Sequence, residues 1–204
     1  MIDAAIQPLQ RRLLTPMGQW LVVRGVQADQ ITLAGFGLGL LAIPALAFGA
    51  YGLALVLLLM NRLADGLDGT VARLSAPTDR GAFLDIALDF VFYALFPLGF
   101  ALADPMQNAL PAAVLIAAFV GTGSSFLAFA AIAAKRGKTA TEFPSKGIYY
   151  LGGLTEGFET IAVFVVMCLF PQGFALLAYG YAAACALTTV LRWHQGWQAF
   201  ASRK

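Results

Sequence analysis

Four aspartates in two closely spaced pairs are the residues of this sequence best suited to chemistry. Asp65 and Asp68 are three residues apart, and Asp85 and Asp89 are four apart, so on helices each pair would project from one face. The short connection over residues 74–80 would make these two helices antiparallel neighbours, so the two pairs would face each other and converge. Four converging carboxylates cannot all ionise without cations, and such oxygen ligands select Mg²⁺, Mn²⁺ or Ca²⁺. Two such ions about 3.5–4 Å apart clamp the attacking and leaving oxygens of a phosphoryl displacement. The spacing therefore predicts a two-metal site.

The composition indicates that this chain lies in a lipid bilayer. Of its 204 residues, 60% are hydrophobic and 12% are charged, whereas a water-soluble domain carries about 25% charged residues. So apolar a chain is not disordered, and a net charge of +2 does not suggest a nucleic-acid binder. The two cysteines, Cys168 and Cys185, fall inside apolar runs and are interpreted as packing residues.

Six apolar runs are long enough to cross a bilayer as helices, which takes about 20 mostly apolar residues. They span residues 31–50, 52–73, 83–103, 110–134, 148–170 and 173–193. Ahead of them, Ile2, Ile6, Leu9 and Leu13 recur at helical spacing. That recurrence favours an amphipathic helix lying on the membrane surface over a disordered tail.

We therefore predict an all-α integral membrane protein with six transmembrane helices in one domain over residues 1–204. Residues 1–28 form the interfacial helix and its linker, and residues 29–204 form the six-helix bundle. All thirteen Lys and Arg fall on one side of the six runs, and such residues concentrate on the cytoplasmic side of spanning helices. Both termini, and the helix ends that carry the four aspartates, are expected on the cytoplasmic side of the inner cell membrane.

The four aspartates belong to a longer pattern over residues 65–89, which read D-x2-D-G-x2-A-R-x7-G-x3-D-x3-D. Its fixed positions are Asp65, Asp68, Gly69, Ala72, Arg73, Gly81, Asp85 and Asp89. This stretch resembles the complete signature of the CDP-alcohol phosphatidyltransferase family. The six-run organisation and the N-terminal interfacial helix are also similar to that family.

The resemblance implies a membrane enzyme of phospholipid biosynthesis that transfers a substituted phosphate from a CDP-linked donor to an alcohol and releases CMP. It implies two divalent ions, Mg²⁺ or Mn²⁺, held by Asp65, Asp68, Asp85 and Asp89. Asp89 would also take the proton from the acceptor hydroxyl. The expected donor is CDP-diacylglycerol and the expected acceptor a small alcohol. The alternative is a CDP-choline or CDP-ethanolamine type of enzyme, which transfers a phospho-alcohol to diacylglycerol. The family also leads us to expect a homodimer.

The same resemblance suggests which residues contact the CDP moiety. Gly69 lacks a Cβ and allows close approach, Ala72 is small, and Arg73 can donate several hydrogen bonds to phosphate oxygens. Helix packing for the small residues and a snorkelling role for the arginine are the alternatives. Thr32 lies in a segment similar to the family's entry into its first spanning helix and is a further nucleotide contact. Asp29, in the same segment, is expected to cap that helix.

A second pair of acids, Glu156 and Glu159, is expected deep in the fifth run, where ionisable residues are functional hypotheses by default. They are candidate ligands of an amine-bearing or polyhydroxy acceptor, with structural hydrogen bonds to nearby tyrosines or an arginine as the alternative. Lys146, just before that run, is the candidate for binding an acceptor phosphate. Other basic residues nearby are interpreted as topology determinants or contacts to anionic lipid: Lys135, Arg136 and Lys138.

Two functions other than catalysis are compatible with acids inside a membrane protein. A transporter could use intramembrane carboxylates to carry cations, and an inactive protein could retain them as structural groups. A transporter should spread its acids along the depth of a pathway. Here the four signature aspartates are grouped toward one side of the membrane, which favours the enzyme.

Overall fold

The structure is a computed structural model and describes residues 2–137 and 153–201, with side chains from residue 10 onward. Within these residues the chain forms seven α-helices and one 3₁₀ turn. In chain order they are α1 (Ile2–Val23), α2 (Ala28–Ala47), α3 (Tyr51–Leu74), α4 (Asp79–Ala103), α5 (Pro105–Lys135), α6 (Gly157–Leu169), the 3₁₀ turn (Pro171–Gly173) and α7 (Phe174–Phe200). Lys146 and the first part of the fifth predicted run lie outside the described residues.

Local signals explain where these helices begin and end. Gly49, just past the end of α2, has a φ of 74°, a left-handed conformation that suits a residue without Cβ and stops the helix. At the start of α4, the Thr78 hydroxyl oxygen accepts a hydrogen bond from the Gly81 amide at 3.0 Å. Asp104 does the same for α5, accepting from the Gln107 amide at 3.1 Å. Such caps satisfy amides that have no partner inside the helix.

An aromatic core joins α4 to α6 and α7. Phe92, Phe96 and Phe100 are spaced by four residues, which places them on one face of α4, and all three are completely buried. Phe96 stacks on Phe164 of α6 with ring centroids 4.3 Å apart, and Phe100 stacks on Phe174 of α7 at 4.5 Å. This core anchors α4, the helix that carries Asp85 and Asp89, against α6 and α7.

Four helical segments are long and apolar enough to cross a membrane: Ala28–Ala47, Asp79–Ala103, Pro105–Lys135 and Pro171–Phe200. The described residues are therefore helical apart from their connections, and the chain is multi-pass. The second predicted span corresponds to α3, which carries Arg62, Asp65, Asp68 and Arg73 along its 24 residues. The fifth corresponds in part to α6, whose 13 residues span about 20 Å, against about 30 Å for a hydrocarbon core. Six spanning helices thus stay a prediction.

The N-terminal segment is a helix, α1, and it packs against α3. Close contact is possible because Gly18 faces Thr70, and Gly66 faces Gln10 and Leu14 across the interface. On the outside of α1, Leu13, Met17 and Trp20 remain about half exposed or more. One face of α1 therefore meets the protein, while an apolar stripe points away from it.

Candidate active site

The aspartates line a gap between α3 and α4, which we call the wedge. Helix α2 packs against both of these helices. We predicted that α3 and α4 would be direct neighbours, but they pack little against each other. Instead, α3 packs mainly against α2, and α4 packs against both α2 and α5. Two glycines bring α2 this close. A Cβ on Gly35 would lie 2.6 Å from that of Ala64 on α3, and one on Gly39 would lie 2.9 Å from the Phe92 ring on α4. The wedge forms a small, partly open cavity.

Three of the four aspartates converge in this cavity. Asp65 from α3 and Asp85 and Asp89 from α4 each offer a carboxylate oxygen, and these oxygens all lie within 4.8 Å of one another. Asp65 and Asp89 are half-buried, whereas Asp85 is exposed. Side chains from two helices therefore meet at one point, as the spacing predicts.

Arg62 lies one turn before Asp65 and supplies positive charge to this cluster. Its Nη2 donates to Asp89 Oδ1 at 2.9 Å, and its Nη1 lies 3.8 Å from Asp65 Oδ2. The guanidinium also lies over the Phe92 ring, 5.2 Å from its centroid. The Tyr93 hydroxyl lies 3.4 Å from Asp89 Oδ2, so both oxygens of Asp89 face a donor.

Asp68, the fourth aspartate, lines the same cavity but has a separate partner. Its Oδ2 accepts a hydrogen bond from the Thr32 hydroxyl at 2.6 Å. Thr32 itself lies one turn into α2 and also contacts the Ala28 carbonyl at 3.1 Å. Thr32 is thus brought to the site as the sequence suggested, and it tethers Asp68 to α2.

The remaining signature residues lie beside the cavity. The described residues that line the cavity do not include Gly69, Ala72 or Arg73. Arg73 is exposed, and its Nη2 donates to the Thr70 hydroxyl at 3.2 Å. A Cβ on Gly69 would lie 3.2 Å from Arg73 Nη1. The small residue therefore leaves room for the arginine on the outer turn of α3.

The cap predicted for Asp29 is wrong. The N-cap of α2 is Gln27, whose backbone amide donates to the Gln30 side chain at 3.0 Å. Asp29 sits in the first turn and forms an ion pair with Arg80, with 2.6 Å between Oδ2 and Nη2. This pair joins the start of α2 to the start of α4 beside Gly81, where a Cβ would lie 3.1 Å from Asp29 Oδ1.

Glu156 and Glu159 lie at a helix start rather than deep inside a helix, which corrects their expected location. Glu156 is the N-cap of α6, and Glu159 Oε2 accepts from its backbone amide at 3.2 Å. Glu156 Oε1 accepts from the Gly153 amide at 3.1 Å. Beside them, the Thr155 and Thr188 hydroxyls are 3.0 Å apart. These contacts are structural, and a substrate role for the two acids stays a prediction, as does that of Lys146.

One of the basic residues assigned to topology has a defined structural contact. Arg136, just after α5, donates from Nη2 to the Phe200 carbonyl at 2.7 Å and from Nη1 to the Ala199 carbonyl at 3.4 Å. A cation on the last carbonyls of a helix is favourable because those groups carry partial negative charge. Arg136 therefore ties the end of α5 to the end of α7.

Sequence reasoning missed Arg62 and its neighbour Asn61 as parts of the site. Arg62 Nε donates to Asn61 Oδ1 at 2.7 Å, and Asn61 Nδ2 donates to the Gly35 carbonyl at 2.9 Å. From the sequence, Arg62 is assigned only to the basic residues that set topology. Its position three residues before Asp65, on the same helix face, was the available signal.

The donor set fits a divalent cation. Asp65, Asp85 and Asp89 present carboxylate oxygens close enough to share one ion, and hard cations such as Mg²⁺ and Mn²⁺ prefer oxygen ligands. Four aspartates and one arginine line the cavity. Its fixed charge is therefore negative and attracts cations.

The sequence of this chain matches a protein family and several known proteins. Residues 26–193 match the family described as CDP-alcohol phosphatidyltransferase. The chain is 52% identical over 197 residues to the inner membrane protein YnjF of Escherichia coli, covering 97% of this chain and 96% of that protein. It is 39% identical over 95 residues to a phosphatidylinositol phosphate synthase of Streptomyces avermitilis, covering 45% of this chain and 38% of that one.

A solved structure shares the fold. The crystal structure of Mycobacterium tuberculosis phosphatidylinositol phosphate synthase (PgsA1) with CDP-DAG bound matches with a TM-score of 0.69. The match covers 95% of this chain and 99% of that chain at 22% sequence identity. The overall fold of this chain is thus similar to that of a solved structure.

Proposed function

The chain belongs to the CDP-alcohol phosphatidyltransferase family and is an enzyme of that class, and we propose that it moves a phosphatidyl group from CDP-diacylglycerol to a small alcohol. The acceptor oxygen forms a bond to the phosphorus, the bond from that phosphorus to the CMP oxygen breaks, and CMP leaves. The convergence of Asp65, Asp85 and Asp89 in one cavity is the observation that carries this proposal.

Asp89 is the proposed base. An alcohol is a poor nucleophile, so a positioned carboxylate that accepts its proton assists the displacement. Contacts to Arg62 and Tyr93 hold the Asp89 carboxylate at the cavity wall, next to the other aspartates.

Asp65, Asp68, Asp85 and Asp89 are the proposed ligands of divalent cations, Mg²⁺ or Mn²⁺. When bound, such ions stabilise the charge on the transferring phosphoryl group and on departing CMP. Thr32 holds Asp68 in position through its hydrogen bond of 2.6 Å. That contact gives Thr32 a positioning role besides its proposed contact to the nucleotide.

The donor assignment has two supports. PgsA1, which shares the fold, has CDP-DAG bound in its crystal structure. The signature residues beside the cavity suit a diphosphate: Gly69 leaves space next to the exposed Arg73 guanidinium, which can donate to phosphate oxygens. We propose that Gly69, Ala72 and Arg73 contact the CDP moiety along the outer turn of α3.

We also propose that the chain spans the inner membrane six times as one domain, with both termini and the cavity facing the cytoplasm. All thirteen basic residues lie on the cytoplasmic side of this arrangement. The exposed stripe of Leu13, Met17 and Trp20 on α1 supports an interfacial position for that helix. A homodimer is part of the proposal on family grounds alone.

The test supplies purified protein with CDP-diacylglycerol, Mg²⁺ or Mn²⁺, and a panel of alcohols with and without a phosphate group. We expect metal-dependent CMP release with one class of acceptor, and the lipid product identifies that acceptor. A parallel reaction offers a CDP-linked small alcohol and diacylglycerol. CMP release only in that second reaction would reverse the assigned donor and acceptor.

A further inference from the structure

Arg62 is a cation within the carboxylate cluster that lies outside the signature pattern. Its guanidinium contacts two of the three converging aspartates, with Nη2 at 2.9 Å from Asp89 Oδ1 and Nη1 at 3.8 Å from Asp65 Oδ2. Those two aspartates lie on different helices, α3 and α4. The guanidinium therefore bridges the wedge at the place where the carboxylates meet.

The arginine is fixed in this position by contacts to α3 and α4 and, through Asn61, to α2. Its side chain is 16% exposed, and Nε donates to Asn61, which in turn donates to the Gly35 carbonyl of α2. On the α4 side the guanidinium lies over the Phe92 ring. A surface arginine paired by chance would have no such second set of contacts.

Removing this cation would leave like charges facing one another. Carboxylates that share a site repel when both are charged, and oxygens of Asp65, Asp85 and Asp89 lie within 4.8 Å of one another. A guanidinium in contact with two of them offsets that repulsion. The same guanidinium repels any divalent cation that binds the same carboxylates.

We propose that Arg62 is a resident counter-ion of the carboxylate cluster, which holds Asp65 and Asp89 together before a divalent cation binds and competes with that cation for their oxygens. The inference rests on the cation site of the proposed function. Arg62 is in this view a positioning residue, and its effect is on the cluster rather than on the reacting atoms.

The experiment measures Mn²⁺ binding and thermal unfolding of the full-length protein in detergent, after removal of metal with EDTA. Arg62→Met removes the charge and keeps a long side chain. We expect its metal-free unfolding temperature to fall by about 5 °C or more, since one partner of a partly buried ion pair is lost. We expect bound Mn²⁺, followed by electron paramagnetic resonance, to show an apparent Kd about tenfold lower than that of the unaltered protein.

Two further variants separate the charge from its position. Arg80→Met removes an equal charge from the exposed pair with Asp29 and should leave Mn²⁺ affinity unchanged. Arg62→Lys keeps the charge, but an ammonium group lacks the bidentate reach of a guanidinium, so both readouts should fall between those of the unaltered protein and Arg62→Met. If Arg62→Met cannot be purified without metal, Arg62→Lys carries the test.

Unchanged or weaker Mn²⁺ binding by Arg62→Met, with an unchanged metal-free unfolding temperature, would overturn the inference. Absence of Mn²⁺ binding by both the unaltered protein and Arg62→Met would instead overturn the cation site of the proposed function. In that case the metal-free unfolding temperature alone decides whether Arg62 stabilises the cluster. The two failures are therefore distinguishable.

Discussion

The aspartates of α3 and α4 and the glutamates at the start of α6 are spaced alike along the chain, yet they have different surroundings. Glu156 and Glu159 each accept a hydrogen bond from a nearby backbone amide. Asp65, Asp85 and Asp89 meet one another across two helices, with the Arg62 guanidinium beside them. Spacing alone therefore does not separate a structural acid from a catalytic one.

The two groups of acids differ in the backbone donors available to them. A helix start offers amides without helical partners, so Glu159 can be satisfied by its own helix. Asp65 and Asp89 lie in helix interiors, where the amides already bond to carbonyls. Their carboxylates must find side chains or cations, and this need draws α3 and α4 to a common charged centre.

The contrast between the aspartates and the glutamates predicts its largest effect for Asp89→Asn, which should lose catalysis. Asparagine keeps the shape of the side chain but cannot accept a proton from the acceptor hydroxyl. We expect CMP release to fall by about 10²–10⁴-fold, the usual contribution of a general base. The measurement is the initial rate of CMP release with CDP-diacylglycerol and saturating acceptor.

Asp104→Asn is the matched control, because Asp104 caps α5 and does not line the cavity. Asparagine is also a good N-cap residue, so CMP release should stay within about twofold of the unaltered protein. Equal activity of Asp89→Asn and Asp104→Asn would remove Asp89 as the base. It would also remove the distinction drawn between the two groups of acids.

A second prediction distinguishes among the aspartates themselves. A cation that binds only the folded protein stabilises it, by about 2.7 kcal/mol at a hundred times Kd. Asp85→Asn should lose most of the Mn²⁺-induced rise in unfolding temperature, because Asp85 is one of the three converging ligands. Asp68→Asn should lose less, because one oxygen of Asp68 already accepts from Thr32.

Thermal unfolding with and without Mn²⁺ measures both variants side by side. An equal loss in Asp68→Asn and Asp85→Asn would show that Asp68 contributes as much as the converging three. The hydrogen bond from Thr32 would then orient the Asp68 carboxylate toward the cation and would not keep it away from the other three aspartates. A loss in neither variant would contradict a cation site in this cavity.

Much of the site could be predicted because it depends on local spacing. Residues three and four apart share a helix face, and the short link of residues 75–78 keeps the end of α3 close to the start of α4. These two facts bring Asp65 together with Asp85 and Asp89. The membrane class followed from composition alone, since too few charged residues are present to cover a water-soluble surface.

Other parts of the fold and of the site could not be predicted, because they depend on contacts between residues far apart in sequence. Asp29 pairs with Arg80, 51 residues away, and no local signal distinguishes that ion pair from a helix cap. The start of α6 was missed because the apolar run continues across it and Glu156 is not among the usual Ser, Thr, Asp or Asn caps. The wedge that α2 creates depends on Gly35 and Gly39 facing partners on two helices.

The smallest predicted effect concerns Glu159, where two substitutions separate a capping role from a substrate role. Glutamine can still accept the hydrogen bond from the Glu156 amide, so a cap is retained in Glu159→Gln and lost in Glu159→Ala. If the Glu159 side chain completes the capping box with the N-cap residue Glu156, Glu159→Ala should lower the free energy of unfolding by about 0.5–2 kcal/mol. Glu159→Gln should lower it by less, and both should keep CMP release.

A substrate role predicts a different ranking, because an amine-bearing acceptor would need the negative charge rather than the hydrogen bond. Both substitutions would then raise KM for the acceptor to a similar extent, whatever their effect on stability. The two readouts, KM and unfolding, therefore rank the same two variants in different ways. A raised KM in Glu159→Gln with unaltered stability would place Glu159 with the aspartates and end the contrast between the two groups of acids.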